Sequence, residues 1–379
     1  MISCGEPSGD LYAGALATEI LRADPSASIT GFGGDHLRNA GGALVDHFSG
    51  ISVTGLLEVA RLLPQTYAMY RRLVRHAAEH RPDVFVAIDF PDFNFRLARA
   101  VRRLGIPVVY YISPQLWAWR PGRMRTMREI ADRVLVIFEF ERAIYERAQV
   151  PVDWVGHPLL DAMSPREDRG VFLRRVGLDR ERPVVALLPG SRRNELREIL
   201  PVLVEAGTLI QRAIPDVQFV VARAPHLRDE LFAPLGALTS APTAIVEGQT
   251  DQVLAEADVA IVASGTVTVQ AALHECPMVV VYRLSPITYR LGRRFVLVDT
   301  FAMANLVAGR RVVPELIQDA FTASAVADLT IGLIRDPQQR EKMRADLREV
   351  KAALGEPGAS ARAARIVLEV ASRSVERQM

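Results

Sequence analysis

Two consecutive doubly wound α/β domains are the fold this chain predicts, on three observations. Short apolar runs alternate with amphipathic stretches from Asp83 to Phe138, and a second set of the same kind follows a polar stretch, Ser164 to Arg169. The length of 379 residues exceeds what one hydrophobic core usually holds. A make-up of 49% apolar and 24% charged residues is that of an ordinary globular protein.

The chain opens on a strand fragment, Met1 to Cys4, which reads as clipped and runs straight into Gly5-Glu-Pro-Ser-Gly-Asp10. The helix after it shows an apolar face of Ala13, Leu16, Ala17, Ile20 and Leu21, as expected of a helix leaving the first strand of such a sheet. Strands are predicted at Val84 to Ile88, Val108 to Ile112 and Val134 to Phe138. Between the first two, Leu97, Ala100, Val101 and Leu104 have the spacing of a buried helix face, Gly105 stands at the C-terminal cap and Pro107 ends the helix. The second set places strands near Pro183 to Leu188, Val217 to Ala222, Thr243 to Glu247, Asp258 to Ala263 and Met278 to Tyr282. Helices close the chain at Asp336 to Ala353 and Ser360 to Arg377, and the domain boundary falls between His157 and Arg169. Two facing domains of this kind leave a cleft at the carboxyl ends of their strands, where open α/β sheets bind ligands.

A formal charge of +2 with no block of like charge gives no footprint for nucleic acid. The basic residues are nearly all arginine, with Lys342 and Lys351 the only lysines; base composition is the first explanation, and the bias merely permits phosphate recognition. Cys4 and Cys276 are far apart in sequence and lack neighbouring metal ligands, so neither a disulfide framework nor a zinc site is predicted. No signal-peptide pattern opens the chain, and no segment reaches the ~18 consecutive apolar residues of a membrane span. A cytosolic or peripheral protein is expected.

Four strand ends carry chemistry. Pro189-Gly-Ser-Arg192 follows a strand and enters a helix: Gly190 permits a tight turn, Ser191 can cap, and Arg192 can fork across phosphate oxygens. Ser264-Gly-Thr266 repeats the arrangement with Gly265 and without the lysine of a P-loop. Either loop also reads as a plain turn and cap. Asp89-Phe-Pro-Asp-Phe-Asn94 delivers two carboxylates to a sheet edge. Asp92 suits a turn or cap, whereas Asp89, emerging directly from the strand, is placed to take a proton as a general base. Ser113-Pro-Gln-Leu-Trp-Ala-Trp-Arg120 sets Trp117 and Trp119 beside arginines, a surface for a sugar face or lipid interface unless both rings simply pack. His157 reads as a structural hydrogen-bonding residue rather than a catalyst.

Together, Gly5 to Asp10, Ile88 to Asn94, Ser113 to Arg120, Leu188 to Arg192, Ser264 to Thr266 and Asn305-Leu-Val-Ala-Gly309 resemble the lipid-A-disaccharide synthase family over almost the whole chain. The resemblance implies a GT-B fold and an inverting transfer from UDP-2,3-diacylglucosamine to 2,3-diacylglucosamine 1-phosphate. The product is a β(1→6) disaccharide phosphate with release of UDP, and neither metal nor organic cofactor takes part. It makes Asp89 the base for the acceptor's 6-hydroxyl. Gly190, Ser191, Arg192, Ser264, Gly265, Thr266, Gln270 and Asn305 fall on the donor side, and Glu6, Ser8, Gly9, Asp92, Trp117 and Trp119 on the acceptor side. Gln270 is a departure, because relatives usually carry Glu at this ribose-facing position; its carbonyl oxygen still accepts, without charge. The clipped first strand is a second departure.

On this reading residues 1–160 form an acceptor-binding domain and 161–350 a UDP-sugar-binding domain. Residues 351–379 form a C-terminal helix that returns to the first domain or crosses to a partner. Acylated substrates imply work at a membrane surface, at the inner face of the inner membrane. Leu56, Leu57, Val59, Leu62 and Leu63 with Tyr67, Tyr70, Arg71, Arg72 and Arg75 form a candidate patch, and Arg283, Arg290, Arg293 and Arg294 a second basic set, both equally readable as solvated helix faces. A homodimer is the prior for such an enzyme. A UDP-sugar epimerase of the same fold, and a non-catalytic sugar-nucleotide sensor or lipid-surface adaptor, are the alternatives. A dinucleotide dehydrogenase fits less well, since no Gly-x-Gly-x-x-Gly follows the first strand.

Overall fold

The computed structural model describes residues 1–48, 56–116, 122–163, 167–225, 227–238, 241–284 and 300–378, with only the backbone described at 56–63 and 375–378. The described chain divides into two compact units. One contains Met1–Ala162 and Leu354–Met379, the other Val298–Ala353 and the described part of Met163–Arg294.

The first unit holds a seven-stranded sheet of β1 (Ile2–Cys4), β2 (Thr30–Gly33), β3 (Ala43–His47), β4 (Phe85–Ile88), β5 (Val108–Tyr111), β6 (Arg133–Val136) and β7 (Val152–Trp154). Every pairing is parallel and the order is β3-β2-β1-β4-β5-β6-β7. The short first strand is central: Ile2 to Cys4 pair with β4 on one side, and Ile2 and Ser3 pair with β2 on the other. Helix Pro7–Ala23 buries Ala13, Leu16, Ala17 and Ile20 as its spacing requires. Helix Pro91–Arg103 buries Leu97, Ala98 and Val101, so Ala98 takes the core position expected of Ala100, and Gly105 accepts the left-handed turn at φ +81°. The C-terminal helix Ala359–Gln378 belongs to this unit. Ser360 and Gly358 donate their amides to Asp161, and Arg362 Nε donates to the carbonyl of Val155 at 2.8 Å.

The second unit holds six parallel strands, β8 (Val184–Leu188), β9 (Gln218–Arg223), β10 (Thr243–Glu247), β11 (Val259–Ala263), β12 (Met278–Tyr282) and β13 (Glu315–Ile317). Their order is β10-β9-β8-β11-β12-β13. Its central strands β8 and β11 are fully buried, as near-continuous apolar runs covered on both faces must be. Helices Arg193–Ala213, Ala323–Arg335 and Pro337–Ala353 contribute Leu196, Ile199, Leu203, Val326, Leu333 and Leu347 to that core.

In both sheets the strand order reverses direction beside the first strand of its unit, between β1 and β4 and between β8 and β11. A doubly wound sheet opens a crevice at the carboxyl ends of the strands flanking that reversal, because the following helices leave on opposite faces. The turns after β1, β4, β8 and β11, taken with the helix starts that two of them enter, are Gly5 to Gly9, Asp89 to Asn94, Pro189 to Arg192 and Ser264 to Thr266. Four of the six sequence motifs therefore stand at the reversal point of their own sheet.

Candidate active site

In the first unit the loops after β1 and β4 are locked together. Asn94, fully buried, directs its side-chain nitrogen at the carbonyls of Asp89 (2.9 Å), Ile88 (3.1 Å) and Ser3 (3.2 Å), and its oxygen accepts from Ser3 Oγ at 2.7 Å. The Phe90 ring lies on the backbone of Gly5, where an added Cβ would fall 2.3 Å from the ring. Glycine is required there by contact, not by backbone angle.

Asp89 is half-buried at the end of β4, with φ +42°, and Phe90 follows at φ +49°. Two successive non-glycine residues in the left-handed region are strained, and such strain concentrates at functional sites. A third, Ile112 at φ +55°, directly follows the adjacent strand β5, and its β-branched side chain makes that conformation costlier still. Burial, with the charge of Asp89 added, holds the hydroxyl of Tyr110 well above the usual tyrosine range, so it stays a donor.

Glu6 precedes helix Pro7–Ala23 and its carbonyl accepts the Asp10 amide at 2.9 Å; Ser8 is half-buried and Gly9 is buried in the first turn. Gly9 approaches β1 closely, since a Cβ there would lie 3.3 Å from Cys4 Cβ. Asp10, buried beside them, accepts the amides of Gly34 (2.7 Å), His36 (2.9 Å) and Leu37 (3.2 Å), which makes it an internal cap of helix Asp35–Asn39. Asp92 lies exposed in the first turn of its helix, paired with Arg123. Ser113 is buried against the hydroxyl of Tyr145. Trp117 and Trp119 lie outside the described residues, as do Arg290, Arg293 and Arg294.

His157 is buried between Tyr12 and Phe138, and its Nδ1 accepts the amide of Leu159 at 3.2 Å. Burial pushes its pKa from 6.5 down to about 3. A ring held neutral and accepting is structural. Between those two values the unfolded chain carries a proton that the folded chain does not, so His157 makes stability fall as pH falls through that window. Urea unfolding at about pH 7 and pH 5 should show the wild type losing roughly 2 kcal/mol more than His157→Asn, which keeps an acceptor without the titration. Equal losses in the two proteins would show that His157 titrates normally in the fold.

In the second unit Gly190 turns at φ +116°, and a Cβ there would meet Glu195 Oε2 at 2.4 Å. Glu195 is the reason for the close approach. Its Oε2 accepts the amides of Ser191 (3.1 Å) and Arg192 (3.2 Å), while its Oε1 takes Arg192 Nη1 at 3.2 Å. This is the third helical position of Arg193–Ala213, where a glutamate closes a capping box. The loop amides and the guanidinium are thus converged by one carboxylate, the donor set that an anion at a strand-to-helix turn uses.

Ser264 Oγ donates to the carbonyl of Phe301 at 3.0 Å, and Glu315 receives the amides of Phe301 and Ala302 at 2.9 Å each. Gly265 is exposed, Thr266 leads into helix Val267–Leu273, and Gln270 is half-buried on that helix with no side-chain hydrogen bond to any described residue. Asn305 is 1% exposed with its whole side chain engaged: it accepts from the amides of Val312 (2.7 Å) and Val313 (3.0 Å), and donates to the carbonyl of Val313 (2.9 Å) and to Glu315 (2.7 Å). Its place is inside the brace that connects Ser264 to Glu315, so it shapes the loop rather than presenting a free amide.

Sequence reading missed Ser3, Tyr110, Glu195 and Glu315. Glu195 alone carried a local signal, an acid three residues into a helix after a turn. The others act through partners distant in sequence.

Comparison with known proteins agrees with this arrangement. The family model described as lipid-A-disaccharide synthetase matches residues 1–370. The lipid-A-disaccharide synthase of Geobacter sulfurreducens is 43% identical over 375 residues, 99% of this chain and 98% of that protein. Among solved structures, the UDP-GlcNAc 2-epimerase of Neisseria meningitidis bound to UDP-GlcNAc superposes with a TM-score of 0.67 at 14% identity, covering 97% of this chain and 98% of that one. The glycotransferase of kitacinnamycin gives 0.63 at 18% identity, covering 98% of each. These two likenesses share the fold alone, whereas the family model and the 43% identical relative settle descent: the chain belongs to the lipid-A-disaccharide synthetase family, enzymes of the GT-B glycosyltransferase class.

Proposed function

We propose that this glycosyltransferase joins UDP-2,3-diacylglucosamine to 2,3-diacylglucosamine 1-phosphate, with inversion, to give the β(1→6) disaccharide 1-phosphate and UDP. The observation that carries the reading is the placement of the family's motif loops at the reversal points of the two sheets. Asp89 removes the proton from the acceptor 6-hydroxyl as the anomeric carbon is attacked. Arg192 receives the charge that develops on the departing diphosphate, which is where a preorganised donor accelerates such a step most, while the amides of Ser191 and Arg192 hold the loop on Glu195. Gly190 gives that loop its turn, and Ser264, Gly265 and Thr266 form the second donor loop. Gln270 accepts from the ribose hydroxyls through its carbonyl oxygen, and Asn305 holds the donor side in shape through Glu315. Glu6, Ser8, Gly9, Asp92, Trp117 and Trp119 serve the acceptor. Residues 1–160 are the acceptor domain and 161–350 the donor domain.

The acylated substrates place the enzyme at the inner face of the inner membrane, as a peripheral protein. No helix of the described residues is long and apolar enough to cross a membrane. Support comes from helix Leu56–His80, which buries Met69, Leu73 and Ala77 and exposes Tyr67, Arg71 and Arg75; Arg72 is held by Asp46. The side chains of Leu56, Leu57, Val59, Leu62 and Leu63 lie outside the described residues. A homodimer is the expected assembly.

The test is UDP release on mixing the protein with both acylated substrates in detergent. Acceptor-dependent release with a disaccharide product is the expected result. Release without acceptor would replace transfer by hydrolysis or epimerase-type chemistry, and no release would leave a non-catalytic role.

A further inference from the structure

We infer that Tyr110, together with Asn94 and Ser3, positions the carboxylate of Asp89 by holding its backbone carbonyl; this rests on the reading of Asp89 as the base. The carbonyl oxygen of Asp89 accepts two hydrogen bonds, from Tyr110 Oη at 2.9 Å and from Asn94 Nδ2 at 2.9 Å. The backbone angles give the reason for this double provision. Asp89 and Phe90 both stand in the left-handed region, which an L-residue leaves unless its surroundings over-determine it. The rotation about Asp89 sets where its side chain leaves the sheet, so the two donors that fix the carbonyl also fix the direction of the carboxylate.

Both donors are themselves rigid. Tyr110 lies in β5 with no exposed surface, its ring against Phe95 at 5.6 Å between centroids. Asn94 is oriented by Ser3 Oγ, which donates to its Oδ1 at 2.7 Å and thereby turns the amide nitrogen toward the carbonyls of β1 and β4. Ser3 is also completely buried. Three buried polar side chains from β1, β5 and helix Pro91–Arg103 thus converge on one turn, where misplacement by about 1 Å costs on the order of a hundredfold in rate.

The experiment uses the full chain and measures kcat and both KM values for Tyr110→Phe, Ser3→Ala and Asp89→Asn, with UDP binding and melting temperature as measures of the folded fraction. Tyr110→Phe keeps the ring and removes only the donor; its kcat is expected to fall about tenfold with both KM values within about twofold. Ser3→Ala should lower the same parameter about threefold by freeing the Asn94 amide. A brace that serves stability alone would lower the melting temperature and leave kcat per folded molecule unchanged, and that result in both variants overturns the positioning role. If Tyr110→Phe does not fold, the kcat of Ser3→Ala decides alone. An inactive Asp89→Asn beside fully active Tyr110→Phe and Ser3→Ala leaves the base in place and removes only the positioning. An active Asp89→Asn removes the base and, with it, anything to position.

Discussion

Asp89→Asn should lower kcat by about three orders of magnitude while the protein stays folded and binds UDP as before. The size follows from what a positioned general base contributes, on the order of a hundredfold to ten-thousandfold. The clean separation follows from the local structure. Asparagine has nearly the volume of aspartate and tolerates the left-handed region as well, so the turn at φ +42° and the bonds that Tyr110 and Asn94 make to its carbonyl survive. The side chain loses only the ability to take a proton. The loops assigned to the donor belong to the other unit, where Glu195 and Glu315 brace them through bonds within that unit. Steady-state turnover, UDP titration and a thermal melt on the same preparation check all three parts. Turnover within tenfold of wild type would take the base assignment away from Asp89, and lost UDP binding would mean that the substitution acts well beyond its turn.

What was legible in the sequence follows the distance over which each signal acts. Strands β4, β8, β11 and β12 are continuous apolar runs, and Phe85–Ile88, Val184–Leu188 and Met278–Tyr282 stand within a residue of where periodicity puts them. Thr30 to Gly33 escaped because two of its four residues are glycine, which no strand pattern favours; Gly31 is there because a Cβ would fall 1.8 Å from the carbonyl oxygen of Ile2. Strands β7 and β13 are three residues long and lie at sheet edges, too short for alternation to register. At the site, the motif loops were readable because a strand, a turn residue and a helix start are contiguous. The partners of those loops were not. Nothing near Asn94 in the chain announces Ser3, 91 residues away, and nothing near Asn305 announces its bond to Glu315, although only ten residues separate them.

Arg192→Ala is expected to raise the KM for the UDP-sugar by between about tenfold and a hundredfold with little loss of stability. A charge-assisted hydrogen bond is worth roughly 1.5–3 kcal/mol, and each 1.4 kcal/mol is a factor of ten in affinity. Stability changes little because the ion pair with Glu195 is an i, i+3 pair in which the Arg192 side chain is 36% exposed, a class worth a few tenths of a kcal/mol. The loop itself should keep its form, since Glu195 still accepts the amides of residues 191 and 192. Arg192→Lys is the sharper variant. An ammonium restores the charge but not the planar fork, so it should recover no more than about a third of the lost affinity on a logarithmic scale if two diphosphate oxygens are bridged. Full recovery by lysine would reduce the role of Arg192 to a point charge. An unchanged KM in Arg192→Ala would remove it from the donor altogether and leave it a structural residue.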